Sequence, residues 1–361
     1  MTSLKLGEKR VGLEHPTYFV ADISANHDGD LERAKLLIRL CAEAGADAAK
    51  FQNFRASRIV SDRGFKNLGG QVSHQSIWKK SVFEVYRDAS LPWEWTPELL
   101  RECEACGIEY FSAPYDLEAV DMLDPYVRLF KIGSGDITWP AMLRRVASKN
   151  KPVLLATGAS DMTDVEHAVR EIIRINPNLV LMQCNTNYTG SLENFRHIHL
   201  RVLESYQAMF PGVVLGLSDH TPGHATVLGA VALGARVIEK HFTDDNRREG
   251  PDHPFSMTPA TWREMVNRTR ELESSLGSNR KFIAENEQQT VIVQRRSLRA
   301  TENLKAGTIL QERMLEALRP APTEAVMPYD LPRVIGKRLV CDLAAGEHLQ
   351  WNLLVDAEET E

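Results

Sequence analysis

Short apolar segments of this chain end, again and again, in side chains that can do chemistry. In order these are Asp22 with Asn26 and His27, Lys50 with Gln52, Ser112, Lys131 with Ser134 and Asp136, Thr157, Thr186 with Tyr188, Ser218 with His220, and Lys240 with His241. His220 and His241 close consecutive segments and can converge on one divalent cation through neutral ring nitrogens, with Asp22 as a further ligand or a partner behind one. A lone histidine in such a place more often only hydrogen-bonds; the pair is what favours metal. Lys50 and Lys131 supply point charges, and the glycines of KIGSGD and ATGAS let backbone N–H groups approach an anion closely, so a phosphate or carboxylate ligand is expected. The same lysines admit two other readings, a salt bridge to a neighbouring carboxylate or a Schiff base on Lys131 or Lys240.

Elements that bring these positions together follow from the spacing of the apolar runs. YFVADIS, DAAKFQN, IEYFSAP, VRLFKIG, PVLLATG, LVLMQCN, VVLGLSD and RVIEKHF read as strands, and amphipathic stretches fill the gaps between them. Asp30 precedes LERAKLLIRLCAEAG, which closes at Gly45, and SDMTDVEHAVREIIRIN repeats that grammar of an N-terminal cap and an apolar stripe. Eight strands alternating with helices predict an α/β fold, a (β/α)8 TIM barrel, whose site lies at the C-terminal strand ends. TPATWREMVNRTRELESSLG reads as the last barrel helix. The expected division is a barrel over 1–280, a polar linker over 281–290 and a small β-rich domain over 291–361. In that last part the turns Ala306-Gly307-Thr308 and Ala345-Gly346-Glu347 resemble each other, and a core of this size needs support from the barrel or a second subunit.

Composition narrows the function. The chain has 361 residues, 43% of them hydrophobic and 25% charged, and a net charge of -6, which argues against a nucleic-acid or anionic-membrane surface. No apolar stretch has the length of a membrane span, and MTSLKLGEKR lacks the apolar core of a signal peptide, so a cytoplasmic protein is expected. Five cysteines form an odd set without disulfide spacing; Cys103 and Cys106, though C-x-x-C, fall in a helical run without a second pair to complete a zinc site.

The segments ADISANHDGD, KFQ, KIGSGD, ATG, GLSDHT, VIEKHFT and GPDHPFSM, in this order, resemble the sialic acid synthases, and QRRSL, LRP, VIGKRL and AAGEHL resemble the antifreeze-like (SAF) domain that follows the barrel in that family. The resemblance implies condensation of phosphoenolpyruvate with an N-acetylated amino-sugar aldose, N-acetylmannosamine or a 2,4-diacetamido-6-deoxy hexose, to a nine-carbon 2-keto sugar acid. It implies Mn2+ or Mg2+ on His220 and His241, phosphoenolpyruvate on Lys50, Lys131, Ser134, Thr186 and Ser218, and sugar on Gln52, Asp136, Tyr188 and Asp252. Arg319 would reach the sugar from the partner of a domain-swapped homodimer. Asp22 and Asp136 stand where the family commonly has glutamate, each reaching one methylene less far, and Ala113, Ala156, Thr186 and LRPAP also depart from its pattern. SANHDGD and the run from Trp78 to Trp95 look more like the pseudaminic acid branch, while GPDH with KIGSGD leans to N-acetylneuraminate.

Asp22 is the expected group to orient or deprotonate the attacking water, its alternative being a fastener of the strand-one turn. Two rival functions compete: a class I aldolase using the Schiff-base lysine, which leaves both histidines idle, and a non-catalytic sugar-acid binding or regulatory protein.

Overall fold

The computed structural model describes residues 3–68, 71 and 73–357. Each predicted strand segment contributes a strand, numbered here β1 (Tyr18–Asp22), β2 (Ala48–Asn53), β3 (Glu109–Pro114), β4 (Phe130–Ile132), β5 (Val153–Ala156), β6 (Leu179–Cys184), β7 (Val214–Asp219) and β8 (Val237–His241). All pair in parallel, and β8 closes on β1 to complete the barrel. Apolar runs such as LVLMQC are buried along their whole length, as parallel strands covered by helices must be.

Two registers set the site. His241 of β8 lies beside Asp22 of β1, and Asp22 beside Lys50 of β2. Because strand side chains alternate faces, Glu239 and His241 share the barrel interior while Lys240 points to the helices.

Local sequence explains the helices around the barrel. The Asp30 carboxylate accepts from the backbone N–H groups of Glu32 (2.8 Å) and Arg33 (3.3 Å), which starts Leu31–Ala44; Gly45 ends it at φ 99°, a left-handed conformation that costs a side chain dearly. Asp161 starts Met162–Ile173 in the same way, and Pro259–Leu276 buries Trp262 against Phe242, ring centroids 5.6 Å apart. At the opposite end of the barrel a hairpin, Ser3–Leu6 with Lys9–Gly12, buries Leu6 and Val11 in the core, and Lys9 bonds Asp47 at the root of β2.

The chain divides into two compact units, Met1–Gly277 and Ser278–Glu361. In the second, Ser297–Ala300 pairs with Leu315–Leu318 and Arg338–Leu339 with Leu354–Val355, all antiparallel, over a core that includes Leu298, Leu310, Val326, Val334 and Leu349. The two similar turns place Gly307 at φ 88° and Gly346 at φ 79°, and each is followed by one 3-10 turn and a strand. A helix, Gln288–Gln294, begins in the last residues of the segment read from sequence as linker and runs into the small β-rich domain. Among the described residues no helix is long and apolar enough to cross a membrane, and the five cysteines are free.

Candidate active site

A cavity of about 420 Å3 opens at the C-terminal ends of the strands, where the fold places it. Its floor is a row of alternating charges. Lys50 Nζ donates to Asp22 Oδ2 at 2.7 Å and lies 3.6 Å from Glu239 Oε1; Lys131 Nζ donates to that same Glu239 oxygen at 2.5 Å. Ser218 Oγ adds a third donor to Glu239 at 3.2 Å, and Gln52 Nε2 a second to Asp22 at 3.1 Å. All four charged residues are at most 4% exposed. Two oxygens of this row, Asp22 Oδ1 and Glu239 Oε2, are buried with no hydrogen-bond partner in the chain. Carboxylate oxygens left open on the wall of a cavity are acceptors for a bound water, substrate hydroxyl or cation.

Burial would raise the Glu239 carboxyl, but Lys131 and then Lys50 hold it down at about 2. Burial would in turn lower Lys50, and Asp22 with Glu239 reverses that and raises it; for Lys131 burial prevails over Glu239 and the lysine is lowered. The row is two cations against two anions, and it adds no net charge.

His220 and His241 stand above the row, each 7% exposed, ring centroids 5.3 Å apart. Burial, and then the neighbouring His241, hold His220 neutral down to about pH 3. Its Nδ1 lies 3.0 Å from the Asn185 carbonyl, which makes Nδ1 the donor and leaves the lone pair on Nε2. His241 Nε2 is 3.5 Å from Asp22, and its Nδ1 is buried without a hydrogen bond, 3.8 Å from Asp252. A neutral His220 and an orphaned ring nitrogen on His241 suit a divalent cation. Among the described residues no three histidine, cysteine or acidic side chains form a ready cluster, so such an ion would complete its shell from water and substrate.

Of the residues singled out from sequence, Asp22, Lys50, Gln52, Lys131, Ser134, Asp136, Tyr188, Ser218, His220, His241 and Asp252 all line this one cavity. Ser134 Oγ accepts from Gly158 N–H at 3.0 Å, and a β-carbon on Gly158 would fall 2.5 Å from Thr186 Cγ2, so only glycine lets these three groups meet. Thr186 thus sits behind the cavity wall. Asp252 accepts from Ser24 Oγ at 2.5 Å, and its loop is pinned by His253, fully buried between Thr243 Oγ1 (2.7 Å) and Asp28 (2.9 Å). Arg319 lies in the second unit, exposed, its Nε donating to the Gln294 carbonyl at 2.7 Å.

Four strand-end residues are fasteners instead. Asn26 donates to the Phe242 carbonyl and Ser256, His27 accepts from Gly29 N–H, Ser112 donates to Asn53, and Thr157 bonds Met182 and Tyr206, all away from the cavity. Lys240 is the clearer correction to the Schiff-base reading: it is 1% exposed on the outer face of β8, bonded to Asp219 and the Thr221 carbonyl, where no substrate reaches it. Glu239 is the residue sequence reasoning missed, although sharing a face with His241 was signal enough.

Asp136 stands alone at the mouth. Burial raises its carboxyl to about 7, and Oδ2 has no partner. The raised value means that the folded state binds this proton more tightly than the unfolded one; the stability it contributes is full below the unfolded value near 4 and lost as pH climbs towards 7. Asp136→Asn is therefore expected to stabilise the protein at pH 8 by on the order of 2 kcal/mol relative to its effect at pH 4. Urea unfolding at the two pH values checks this, and an effect independent of pH contradicts it.

Comparison with known proteins gives the geometry its family. Residues 37–281 match the NeuB family and residues 295–355 the SAF domain. An N,N'-diacetyllegionaminic acid synthase of Campylobacter jejuni is 34% identical over 87% of this chain and 93% of its own length, and the human N-acetylneuraminate-9-phosphate synthase is 32% identical over 95% and 94%. The crystal structure of N-acetylneuraminic acid synthetase from Leptospira borgpetersenii, in complex with citrate, superposes with a TM-score of 0.71 at 25% identity, covering 80% of this chain and 95% of that one. Relatives named as acid synthases match nearly the whole chain, which favours an enzyme over a non-catalytic binding protein. The chain belongs to the NeuB family and is an enzyme of the acid-synthase type.

Proposed function

We propose that this enzyme condenses phosphoenolpyruvate with an N-acetylated amino-sugar aldose, N-acetylmannosamine or a 2,4-diacetamido-6-deoxy hexose, to give a nine-carbon 2-keto sugar acid and phosphate. The observation that carries the reading is the meeting of an imidazole pair and a charge-balanced row of two lysines and two carboxylates in one cavity.

Phosphoenolpyruvate brings roughly two negative charges on its phosphate and one on its carboxylate. The neutral row cannot balance them unaided, which supports a divalent cation, Mn2+ or Mg2+, held by His220 and His241. When bound, that ion supplies Lewis-acid polarisation of the aldehyde. Lys50 and Lys131 hold the anionic groups electrostatically, with Ser134 and Ser218 giving hydroxyl contacts and Thr186 backing Ser134 from behind the wall. Carbon three of phosphoenolpyruvate forms the new bond to the aldehyde carbon, whose oxygen takes up a proton. Water then bonds to carbon two, and the C–O bond to phosphate breaks. Asp22 takes the water's proton in this reading, supported by an Oδ2 that Lys50 and Gln52 fix and an Oδ1 that is open. Gln52, Asp136, Tyr188 and Asp252 contact the sugar.

The proposed assembly is a domain-swapped homodimer in the cytoplasm, with Arg319 of the small domain giving the partner's sugar a planar, two-pronged contact. Arg319→Ala is expected to raise the sugar's KM about tenfold with little change in the KM of phosphoenolpyruvate; an unchanged sugar KM removes Arg319 from the site. The function itself is tested by phosphate release from phosphoenolpyruvate with Mn2+ and each sugar, with mass spectrometry of the product. Trapping of a pyruvate adduct by borohydride would favour the aldolase instead.

A further inference from the structure

A second cavity, of about 230 Å3, opens at the other end of the barrel, at the roots of the two strands that carry the imidazoles. Arg236 and Leu215 from those roots meet Leu13, just past the N-terminal hairpin, and Gln207, Phe210 and Pro211 at the end of the helix Val202–Met209. The barrel's own ladder holds Arg236 in place: its N–H donates to the Leu215 carbonyl, and its carbonyl accepts from the Tyr18 N–H, both at 2.8 Å.

The Arg236 side chain is the unusual member. It is only 8% exposed, and among the described residues Nη1 alone is bonded, donating to the carbonyls of Val231 at 3.0 Å and Ala235 at 2.7 Å. Those two bonds use both hydrogens of Nη1. Nε and Nη2 keep theirs, and this edge of a guanidinium is one that grips a carboxylate with two parallel bonds. Burial lowers the guanidinium's pKa and Glu273 opposes that, yet the Glu273 carboxylate is committed to the Thr17 N–H at 2.6 Å and to Arg270 at 2.7 Å. Arginine does not shed the cost of burial by losing its proton, so the charge stays and calls for an anion.

Opposite the guanidinium the walls are carbon, from Leu13, Phe210, Pro211 and Leu215, and Gln207 adds one amide. One cation and apolar walls match one negative charge on an apolar body. A phosphate would bring nearly two charges to a single guanidinium and turn its remaining oxygens towards carbon. We propose that this cavity binds a small monocarboxylate with an apolar or aryl body, its carboxylate on the Nε and Nη2 edge of Arg236. The site lies at the far end of the strands from Lys50 and Lys131 and does not rest on the function proposed above.

Phenylacetate is the probe, titrated against the full chain by ligand-observed NMR with and without phosphoenolpyruvate and Mn2+. The expected dissociation constant is about 1 mM or tighter, the range open to a ligand of roughly ten heavy atoms, and phosphoenolpyruvate leaves it unchanged. Neutral phenylacetamide and inorganic phosphate should each bind about tenfold more weakly or worse. Arg236→Met, which keeps the apolar stem, should weaken phenylacetate by more than about tenfold and leave phenylacetamide as it was. Gln207→Glu, on the exposed end of the helix, reads the same property where the first variant fails to fold: a carboxylate beside the guanidinium competes with the ligand and should weaken it about fivefold or more. No binding at about 10 mM, equal binding of the amide, phosphate as tight as the acid, displacement by phosphoenolpyruvate, or an affinity indifferent to these substitutions overturns the proposal. A fall in sedimenting mass on adding the acid gives the cavity to a second copy of the chain and overturns it as well.

Discussion

His241→Ala is expected to weaken Mn2+ binding by more than about 100-fold and to remove metal-dependent turnover, with the barrel still folded. Burial, and then the neighbouring His241, keep His220 uncharged, so that ring would offer the proposed cation a lone pair and not a proton. Asn185 fixes which nitrogen of His220 is free, and the unpartnered Nδ1 of His241 marks a group that the chain alone does not satisfy. Removing one of two imidazoles would halve the protein's share of the proposed shell. It leaves the Lys50–Asp22 and Lys131–Glu239 pairs untouched, so phosphoenolpyruvate loses charge compensation more than it loses contacts. Titration of Mn2+ by electron paramagnetic resonance separates metal loss from activity loss, and a melting temperature within a few degrees of the parent's excludes unfolding. Retained Mn2+ affinity would sink the metal assignment outright.

Much of this arrangement is legible in the chain because barrel strands and their helices declare themselves locally. Asp30 and Gly45 bracket one helix, Asp161 caps another, and every predicted strand segment lies on a strand of the closed barrel. Reading the residues that close each strand then finds most of the cavity, since the fold puts chemistry there. That rule fails in two instructive ways. It does not say which face a residue takes: Lys240 and His241 are neighbours in sequence, yet only the second enters the barrel, and Glu239, one step further back, enters with it. Nor does it separate a substrate contact from a fastener, since Asn26, His27, Ser112 and Thr157 look as reactive as Lys50 until their partners are seen. Side chains at the cavity's mouth such as Ile59 and Tyr86 were hidden for another reason. They come from short helices and turns such as Ala56–Ile59 and Val82–Asp88, whose residues meet the site without any regular period.

Glu239→Gln has the second large expected effect, and it tests the residue that only the structure revealed. One oxygen of Glu239 receives Lys131, Ser218 and, at longer range, Lys50, so a single carboxylate holds both lysines in place for an anionic substrate. Glutamine keeps the shape and the acceptor but removes the charge. Two buried ammonium groups then face one carboxylate, Asp22, and breaking a buried pair on one side costs about 3–5 kcal/mol, which Lys131 partly escapes by giving up its proton. A neutral Lys131 no longer attracts phosphate or carboxylate. The KM for phosphoenolpyruvate should therefore rise by at least about tenfold and stability fall by roughly 2 kcal/mol or more, while Mn2+ affinity changes far less than in His241→Ala. Glu239→Asp, charged but one methylene shorter, should recover stability ahead of catalysis, because the ion pair tolerates a shift that substrate alignment does not. If Gln leaves the KM of phosphoenolpyruvate where it was, Glu239 is a spacer between the lysines and the charge row is structural.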